Sequence, residues 1–160
     1  NTPGAFPGIG AEERGQAWAI SSMLQLLSRV RVPVVAVVTG EGGSGGALAL
    51  ALADYLIMLS NSVFSVASPE ACSAILYKDA SRVQEVAGHL GLTAQDLFKY
   101  GIADEIIAEP VGGIQHHGEQ VAAEIKRVVT TQFAKLCAVE PELLVARRRE
   151  RLYQFSSLNS

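Results

Sequence analysis

Residues 33–52 read PVVAVVTGEGGSGGALALAL, and this stretch decides the fold. It opens with an apolar, β-branched run at 34–39 that has no polar alternation, which is typical of a strand buried on both faces. A glycine-rich loop is predicted at 40–46 and a buried helix at 47–52. A strand, a glycine loop and a helix in this order predict a layered α/β fold with parallel strands.

The flanking sequence predicts helices and strands on both sides of this unit. Residues 1–10 are rich in proline and glycine and predict a loop, and apolar residues at helical spacing predict one amphipathic helix over 11–29. Ser68 is the predicted cap of a later helix, with Pro69 in its first turn. Further strands are predicted at 55–59, at 63–66 and within 102–108, and further helices at 69–91 in pieces, 93–100, 118–136 and 141–154.

Composition limits the classes of protein that this sequence fits. The chain has 160 residues, 49% of them hydrophobic, and a net charge of −3, which disfavours non-specific nucleic-acid binding. No apolar run reaches the roughly 18 residues that span a membrane. Cys72 and Cys137 are far apart in sequence and no CxxC occurs, so we expect free thiols and no metal site. Turn-forming residues at 1–4 predict that a strand precedes them and that the chain is a fragment.

The glycine-rich segment is a candidate site for a negatively charged group. Glycine allows close backbone approach, and the first amides of the next helix have no helical acceptor. The amides of Gly45, Gly46 and Ala47 therefore form a predicted oxyanion site. A tight strand–helix turn without a ligand is the alternative. A phosphate loop is disfavoured because no Lys-Ser or Lys-Thr follows the glycines, and no dinucleotide fingerprint fits the strand end.

The same segment also fits the nucleophile elbow G-x-S-x-G of serine hydrolases, with Ser44 as the nucleophile. The histidines of the chain are His89, His116 and His117. His117 is the candidate base, and Asp104 or Glu105 is the candidate residue to orient it. Against this hypothesis, the long succession of strands and helices typical of such hydrolases does not follow Ser44. A serine at a helix start is also more often an N-cap.

Four segments together resemble the carboxyltransferase alpha-subunit family of acetyl-coenzyme A carboxylase. Residues 2–16 are similar to its TPGAYPG-x-GAEERGQ, 40–49 to GEGGSGGALA, 68–76 to SPEGCASIL and 109–113 to EPLGG. Departures from the family's usual residues include Asn1, Phe6, Ala71 and Tyr77. The resemblance implies a ClpP/crotonase-like fold, incomplete at the N-terminus. It also implies that 1–115 is the C-terminal portion of the carboxyltransferase domain and that 116–160 forms C-terminal helices of the same domain.

The resemblance further implies transfer of a carboxyl group from carboxybiotin to acetyl-coenzyme A, which gives malonyl-coenzyme A for fatty acid synthesis. The implied partners are a biotin carboxyl carrier protein and a beta subunit that alone holds zinc, in an assembly of two alpha and two beta subunits. The implied compartment is the bacterial cytoplasm or the plastid stroma. The residues implied to stabilise the biotin oxyanion are Gly45, Gly46 and Ala47. The residues implied to line the substrate cleft are Gly4, Gly8, Gly42 and Gly43. For the loop at 3–10, which holds the first two of these glycines, a helix-entry turn is the alternative.

Other polar residues have two interpretations each. Glu70 and Lys78 are either cleft residues or a surface ion pair. The arginines within 147–151 indicate a solvated face, or a contact with coenzyme A phosphates or a partner. His116 and His117 favour an exposed turn over a metal site. A non-catalytic subunit that only supports assembly is a third hypothesis beside the transferase and the hydrolase.

Overall fold

Five short strands and eight α-helices make up the part of the chain that the structure describes. The structure is a computed structural model, and it describes residues 1–155. The strands are β1 (Val35–Val38), β2 (Glu41–Gly43), β3 (Tyr55–Leu59), β4 (Val63–Ser65) and β5 (Glu105–Ile107). The helices are α1 (Ile9–Glu13), α2 (Gln16–Leu27), α3 (Ser44–Ala51), α4 (Pro69–Tyr77), α5 (Val83–His89), α6 (Ala94–Lys99), α7 (Gly118–Cys137) and α8 (Pro141–Phe155), with a 3-10 turn at Ala80–Arg82.

The main sheet has the order β1-β3-β5, and its strands are parallel. Side chains of the central strand β3 alternate between two apolar clusters, as the pleat of a strand requires. Met58 packs on one face with Leu97, while Ile57 and Leu59 pack on the other face with Val121 of α7. Helices therefore cover both faces of β3, and the predicted layered α/β arrangement is confirmed.

Strand β1 is shorter and less buried than the sequence predicts. The predicted strand at 34–39 is observed at Val35–Val38, where Val38 alone is buried and the other residues are half-buried. The reason is position in the sheet, because β1 is the edge of the described order β1-β3-β5. An uninterrupted apolar run indicates contact on both faces of a sheet, but it does not distinguish an edge strand from a central one.

A second, two-stranded sheet contains the first half of the glycine-rich segment. Strand β2 pairs in parallel with β4, with Gly42 opposite Phe64. On its other side, the amide of Thr2 donates to the carbonyl of Glu41 at 2.6 Å, and the amide of Gly43 donates to the carbonyl of Thr2 at 2.7 Å. The predicted loop at 40–46 is therefore wrong, because these backbone hydrogen bonds outweigh the low strand preference of glycine.

The second half of the same segment is the start of α3, which begins at Ser44 rather than at residue 47. Ala47 and Ala49 are buried, but Leu48 is 46% exposed and Leu50 is 56% exposed. The expectation of a wholly buried helix is therefore wrong. Ala47 and Ala49 face the core, whereas about half of each leucine side chain is exposed in the part of the chain that the structure describes.

The single helix predicted at 11–29 is observed as two helices, α1 and α2. Gly15 lies between them in the left-handed region, with φ 79°, and is the N-cap of α2. A residue in this conformation ends a right-handed helix, and glycine adopts it without steric cost. Helical periodicity continues across the break, which is why the sequence alone does not reveal it.

The C-terminal half follows its predicted elements closely. The Ser68 hydroxyl accepts a hydrogen bond from the amide of Ala71 at 3.2 Å, and Pro69 is the first residue of α4, so the predicted cap is confirmed. Helices α7 and α8 agree with the predictions for 118–136 and 141–154 to within a residue at each end. Of the segment predicted as C-terminal helices, residues 156–160 lie outside the described part. Within residues 1–155, no helix combines the length and the apolar character needed to cross a bilayer.

Candidate active site

The junction between β2 and α3 places a short row of backbone amides at the edge of the second sheet. Gly43 is the extended N-cap of α3, and no side chain caps this helix end. A helix that begins at Ser44 leaves the amides of Ser44, Gly45 and Gly46 without an intrahelical acceptor. The amide of Ala47 has the Gly43 carbonyl as its helical acceptor. The amides available to an anion are thus those of residues 44–46, whereas the sequence predicts those of residues 45–47.

An apolar cavity of about 450 Å³ opens beside this turn. It is lined by Ser44, Gly45, Leu48, residues 64–67, residues 90–92, Leu97 and Ile102. Ser44 and Gly45 belong to this lining, whereas Gly46 and Ala47 do not. The sequence did not indicate residues 64–67 or 90–92, because apolar side chains in short strands and turns carry no motif that distinguishes a cavity wall from core.

The N-terminal segment packs directly on the glycines of the junction. A Cβ atom at Gly43 would lie 2.4 Å from the carbonyl oxygen of Pro3, and one at Gly46 would lie 3.2 Å from the Cγ2 atom of Thr2. Gly43 therefore requires glycine, whereas a side chain at Gly46 would need the N-terminal segment to shift by a few tenths of an ångström. The position of Gly4 is also close, since a Cβ atom there would lie 3.6 Å from the Cβ atom of Ser44.

Three of the four predicted cleft glycines lie together at the junction, and the fourth lies apart from it. Gly4, Gly42 and Gly43 lie together at the junction, since Gly42 bridges to Thr2 of the same N-terminal segment. Gly8 is the N-cap of α1, where the ring of Phe6 covers it. Its position favours the helix-entry turn that is the alternative for this loop.

The structure has the strand–helix turn at Ser44 that the hydrolase hypothesis requires. The acids proposed to accompany Ser44, however, are engaged elsewhere. Ser44 has φ 53°, an uncommon conformation for a residue other than glycine. Asp104 accepts hydrogen bonds from the amide of Leu56 at 2.7 Å and from Arg151 at 2.6 Å. Glu105 accepts from the Tyr55 hydroxyl at 2.9 Å. Both acids are therefore engaged in hydrogen bonds within the main sheet or with α8, and not with a histidine base.

The expectation that Ser44 caps the helix is wrong, because Gly43 is the N-cap and no side chain makes the capping bond.

The arginines of α8 divide between the interior and the surface, so neither interpretation from the sequence applies to all of them. Arg148 is only 2% exposed and pairs with Asp54 at 2.7 Å, and Arg151 pairs with Asp104. These two arginines are structural, whereas Arg147 and Arg149 are exposed. A run of like charges does not reveal which members point inward, because one helical turn spreads them around the whole circumference.

The remaining polar candidates are separate from the junction. No ion pair joins Glu70 to Lys78 in the described residues. The nearby backbone amide of Glu70 and the Ser68 hydroxyl hold the pKa of the Glu70 carboxyl below its ordinary value. His116 is exposed in a turn and His117 is half-buried at the start of α7. Cys72 is buried and Cys137 is exposed, both as free thiols. Within residues 1–155, no three His, Cys, Asp or Glu side chains are grouped as metal ligands.

Comparison with known proteins identifies the family of this chain. The family model described as acetyl co-enzyme A carboxylase carboxyltransferase-like matches residues 1–156. The chain belongs to this family. It is 54% identical over 152 residues to the acetyl-coenzyme A carboxylase carboxyl transferase subunit alpha of Syntrophomonas wolfei, covering 95% of the chain and 48% of that protein. It is 46% identical over 160 residues to the same subunit of Alcanivorax borkumensis, covering 100% and 50%. The chain thus spans about half the length of these relatives.

Solved structures establish the fold. A Pseudomonas malonate decarboxylase hetero-tetramer in complex with coenzyme A superposes with a TM-score of 0.67 at 17% identity, covering 95% of this chain and 60% of that one. Together with other carboxyltransferases and decarboxylases of this kind, it confirms the ClpP/crotonase-like fold that the resemblance implies. The family membership favours the transferase hypothesis over the hydrolase.

Proposed function

We propose that this chain is the part of a carboxyltransferase alpha subunit that holds carboxybiotin while its carboxyl group moves to acetyl-coenzyme A, giving malonyl-coenzyme A for fatty acid synthesis. The observation that carries the proposal is the position of the α3 start beside the apolar cavity, in a chain of this family. The carrier protein's carboxybiotin supplies the carboxyl group. A non-catalytic assembly role is not favoured, because the glycine junction retains its free amides.

The lining of the cavity fits the biotin ring system by its chemistry. Apolar side chains such as Leu48, Leu92 and Leu97 exclude water from a largely apolar bicyclic ring. At one end of the cavity, Ser44 and Gly45 present the positive end of the α3 dipole, where an oxyanion is stabilised. The chain therefore binds and orients through apolar contacts, and it stabilises negative charge through backbone amides rather than through a side-chain base.

The proposed site extends to the other predicted residues in two roles. Gly45 and Gly46 donate to the oxyanion, with Ala47 as the next amide of the helix. Gly4, Gly42 and Gly43 lie outside the cavity lining and hold the start of α3 against the N-terminal segment that packs on them. Gly8 is the N-cap of α1 and is not part of the cavity lining, so we assign it the entry to that helix.

We further propose the assembly in which this site acts. A beta subunit contributes the coenzyme A site and the zinc of the complex, and a biotin carboxyl carrier protein is the transient partner. Two alpha and two beta subunits form the complete transferase, in the bacterial cytoplasm or the plastid stroma. The relatives from which these partners are inferred are about twice as long as this chain.

A matched pair of substitutions at Gly45 tests the oxyanion role. A Cβ atom at Gly45 would lie 3.8 Å from the Ile20 side chain, an ordinary contact, so alanine fits on this side. Proline in addition restricts the backbone of Ser44, which precedes it with φ 53°. Gly45→Ala keeps the amide donor and Gly45→Pro removes it, and proline is tolerated in the first turn of a helix.

In the assembled transferase we expect Gly45→Ala to retain most of its malonyl-coenzyme A formation. Gly45→Pro should lose about 10²–10³ in rate, the usual effect of removing one oxyanion donor. Sedimentation and thermal unfolding of both variants control for assembly and folding. Equal activities of two well-assembled variants would contradict the role of this amide. Gly46→Val is a poorer test, because its side chain would collide with the N-terminal segment.

A further inference from the structure

A groove rich in arginine lies between the segment after α2 and the outer side of α8. Its walls are formed by Arg29, Arg31, Glu142, Val145 and Arg149, and its volume is about 340 Å³. Three arginines and one glutamate give this groove a formal charge of +2, whereas the chain as a whole carries −3. The groove is therefore a local concentration of positive charge on an acidic chain.

The buried Arg148 fixes the distance between the two walls. Its guanidinium donates to backbone carbonyls within segment 27–32, which carries Arg29 and Arg31. The next residue along α8 is Arg149, which faces the groove. The exposed arginines are thus attached to two backbone segments that a buried group holds together. This geometry reduces the ordering that a ligand must impose when it binds.

The exposed arginines are available to an incoming anion. Within the described residues, no ion pair involves Arg29 or Arg149. Arg31 pairs with Glu142 at 3.3 Å, but the two side chains are 71% and 69% exposed. An exposed pair of this kind contributes little free energy, so a better acceptor displaces the carboxylate at small cost.

We propose that this groove binds the phosphate groups of a small phosphorylated ligand, with diphosphate as the preferred group. The planar guanidinium matches phosphate oxygens in pairs, and a ligand with two or more negative charges balances the charge of the groove. A nucleic-acid polymer fits less well, because it needs an extended basic surface and the chain is acidic overall. The volume lies within the range of small-ligand sites.

The groove is distinct from the candidate active site. Segment 27–32 precedes β1, whereas the glycine junction follows β1, so the two sites lie toward opposite ends of this strand. The proposal therefore does not depend on the proposed function. A binding measurement without turnover separates the two, since loss of oxyanion stabilisation at Gly45 leaves the groove unchanged.

Calorimetric titration of the intact protein with inorganic pyrophosphate is the direct test. We expect Arg29→Gln and Arg149→Gln each to weaken binding about tenfold, the effect of losing one charge-assisted contact. Arg127→Gln removes the same charge from α7, outside the groove, and should leave the affinity unchanged. Glu142→Gln should strengthen binding by roughly twofold to fivefold, because it releases Arg31 from an exposed pair.

Competition identifies the source of the phosphate. Displacement of pyrophosphate by acetyl-coenzyme A supports the substrate as the ligand, and displacement by ATP alone supports a nucleotide that binds apart from the reaction. Absence of pyrophosphate binding at millimolar concentration would overturn the proposal. Equal affinities of Arg149→Gln and Arg127→Gln would also overturn it, because the effect of charge would then be general rather than local.

Discussion

Tyr55 illustrates how one polar side chain is accommodated at the start of the central strand. Its hydroxyl donates to a carboxylate oxygen of Glu105 at 2.9 Å, across the N-terminal ends of β3 and β5. Burial, reinforced by this hydrogen bond and by the negative charge of Glu105, raises the pKa of the Tyr55 phenol well above its ordinary value of 10.0. The neutral phenol is thus favoured in the folded state more than in the unfolded chain.

This pKa shift predicts the pH dependence of stability on the alkaline side. The folded-state pKa is raised, so the contribution of Tyr55 is fully present below about pH 10 and is lost as the pH rises further. Tyr55→Phe should lower the free energy of unfolding at pH 7 by about 1 kcal/mol, the value of one hydrogen bond. Its stability should then fall less steeply above pH 10. Urea unfolding between pH 7 and pH 11 measures both effects, and identical alkaline slopes would contradict the assignment.

At the same scale, the junction residues show which properties of the site are readable from sequence. The glycine pattern correctly marks a place where backbone segments approach closely, as at Gly43 and Gly46. It does not reveal that the approaching group is the N-terminal segment around Pro3, more than 35 residues earlier. It also does not reveal the left-handed conformation of Ser44. Both features depend on tertiary pairing, which a local pattern does not contain.

Among the elements, α8 is attached to the rest of the molecule through Arg148 and Arg151, and the buried Arg148 makes the larger set of contacts. Arg148 forms a two-point contact with the Asp54 carboxylate, at 2.9 and 2.7 Å, and also donates to the backbone after α2. Asp54 in turn accepts from the amide of Val34 at 2.8 Å. This arrangement satisfies the guanidinium donors and connects α8 to the starts of β1 and β3.

Removal of this cation should therefore destabilise the whole fold rather than α8 alone. We expect Arg148→Ala to lower the free energy of unfolding by about 3–5 kcal/mol, because it leaves the buried Asp54 carboxylate without its counter-charge. The neighbouring Arg149→Ala, on the exposed side of the helix, should change it by less than about 0.5 kcal/mol. Denaturant unfolding of both variants measures the difference. A loss below about 1 kcal/mol for Arg148→Ala would show that the pair contributes little.

The elements that sequence predicts well are those with a single strong period. Helix α7 has its apolar residues on one face, and Val121 and Val128 of that face are buried against the main sheet. Strand β2 was missed because its three residues, Glu41–Gly43, carry no apolar alternation. Its partners are the backbone of Thr2 and strand β4, so the strand exists through pairing and not through side-chain preference.

On the scale of the whole molecule, large apolar side chains remain exposed around the first two helices. Trp18 is 76% exposed, Leu26 is 57% exposed and Ile9 is 81% exposed. Helix α2 has no buried residue, although apolar residues dominate its sequence. Exposed apolar surface of this kind marks an interaction site when it is contiguous. With the proposed beta subunit as the partner, we expect the α2 face to be covered in the assembled transferase.

A charge introduced at Trp18 tests this expectation, because a buried tryptophan is a frequent hot spot of an interface. Trp18→Lys should weaken assembly with the beta subunit by at least about tenfold, equivalent to roughly 1.4 kcal/mol, with little change in the stability of the chain itself. Val111→Lys is the matched control, since Val111 is 99% exposed and lies in a turn far along the chain from α2. Sedimentation velocity of the co-expressed subunits measures assembly.

The sequence contains one tryptophan, so 19F NMR of a fluorotryptophan-labelled chain reports on this surface directly. An unshifted Trp18 signal in a stable complex, with normal assembly of Trp18→Lys, would place the beta subunit on another face.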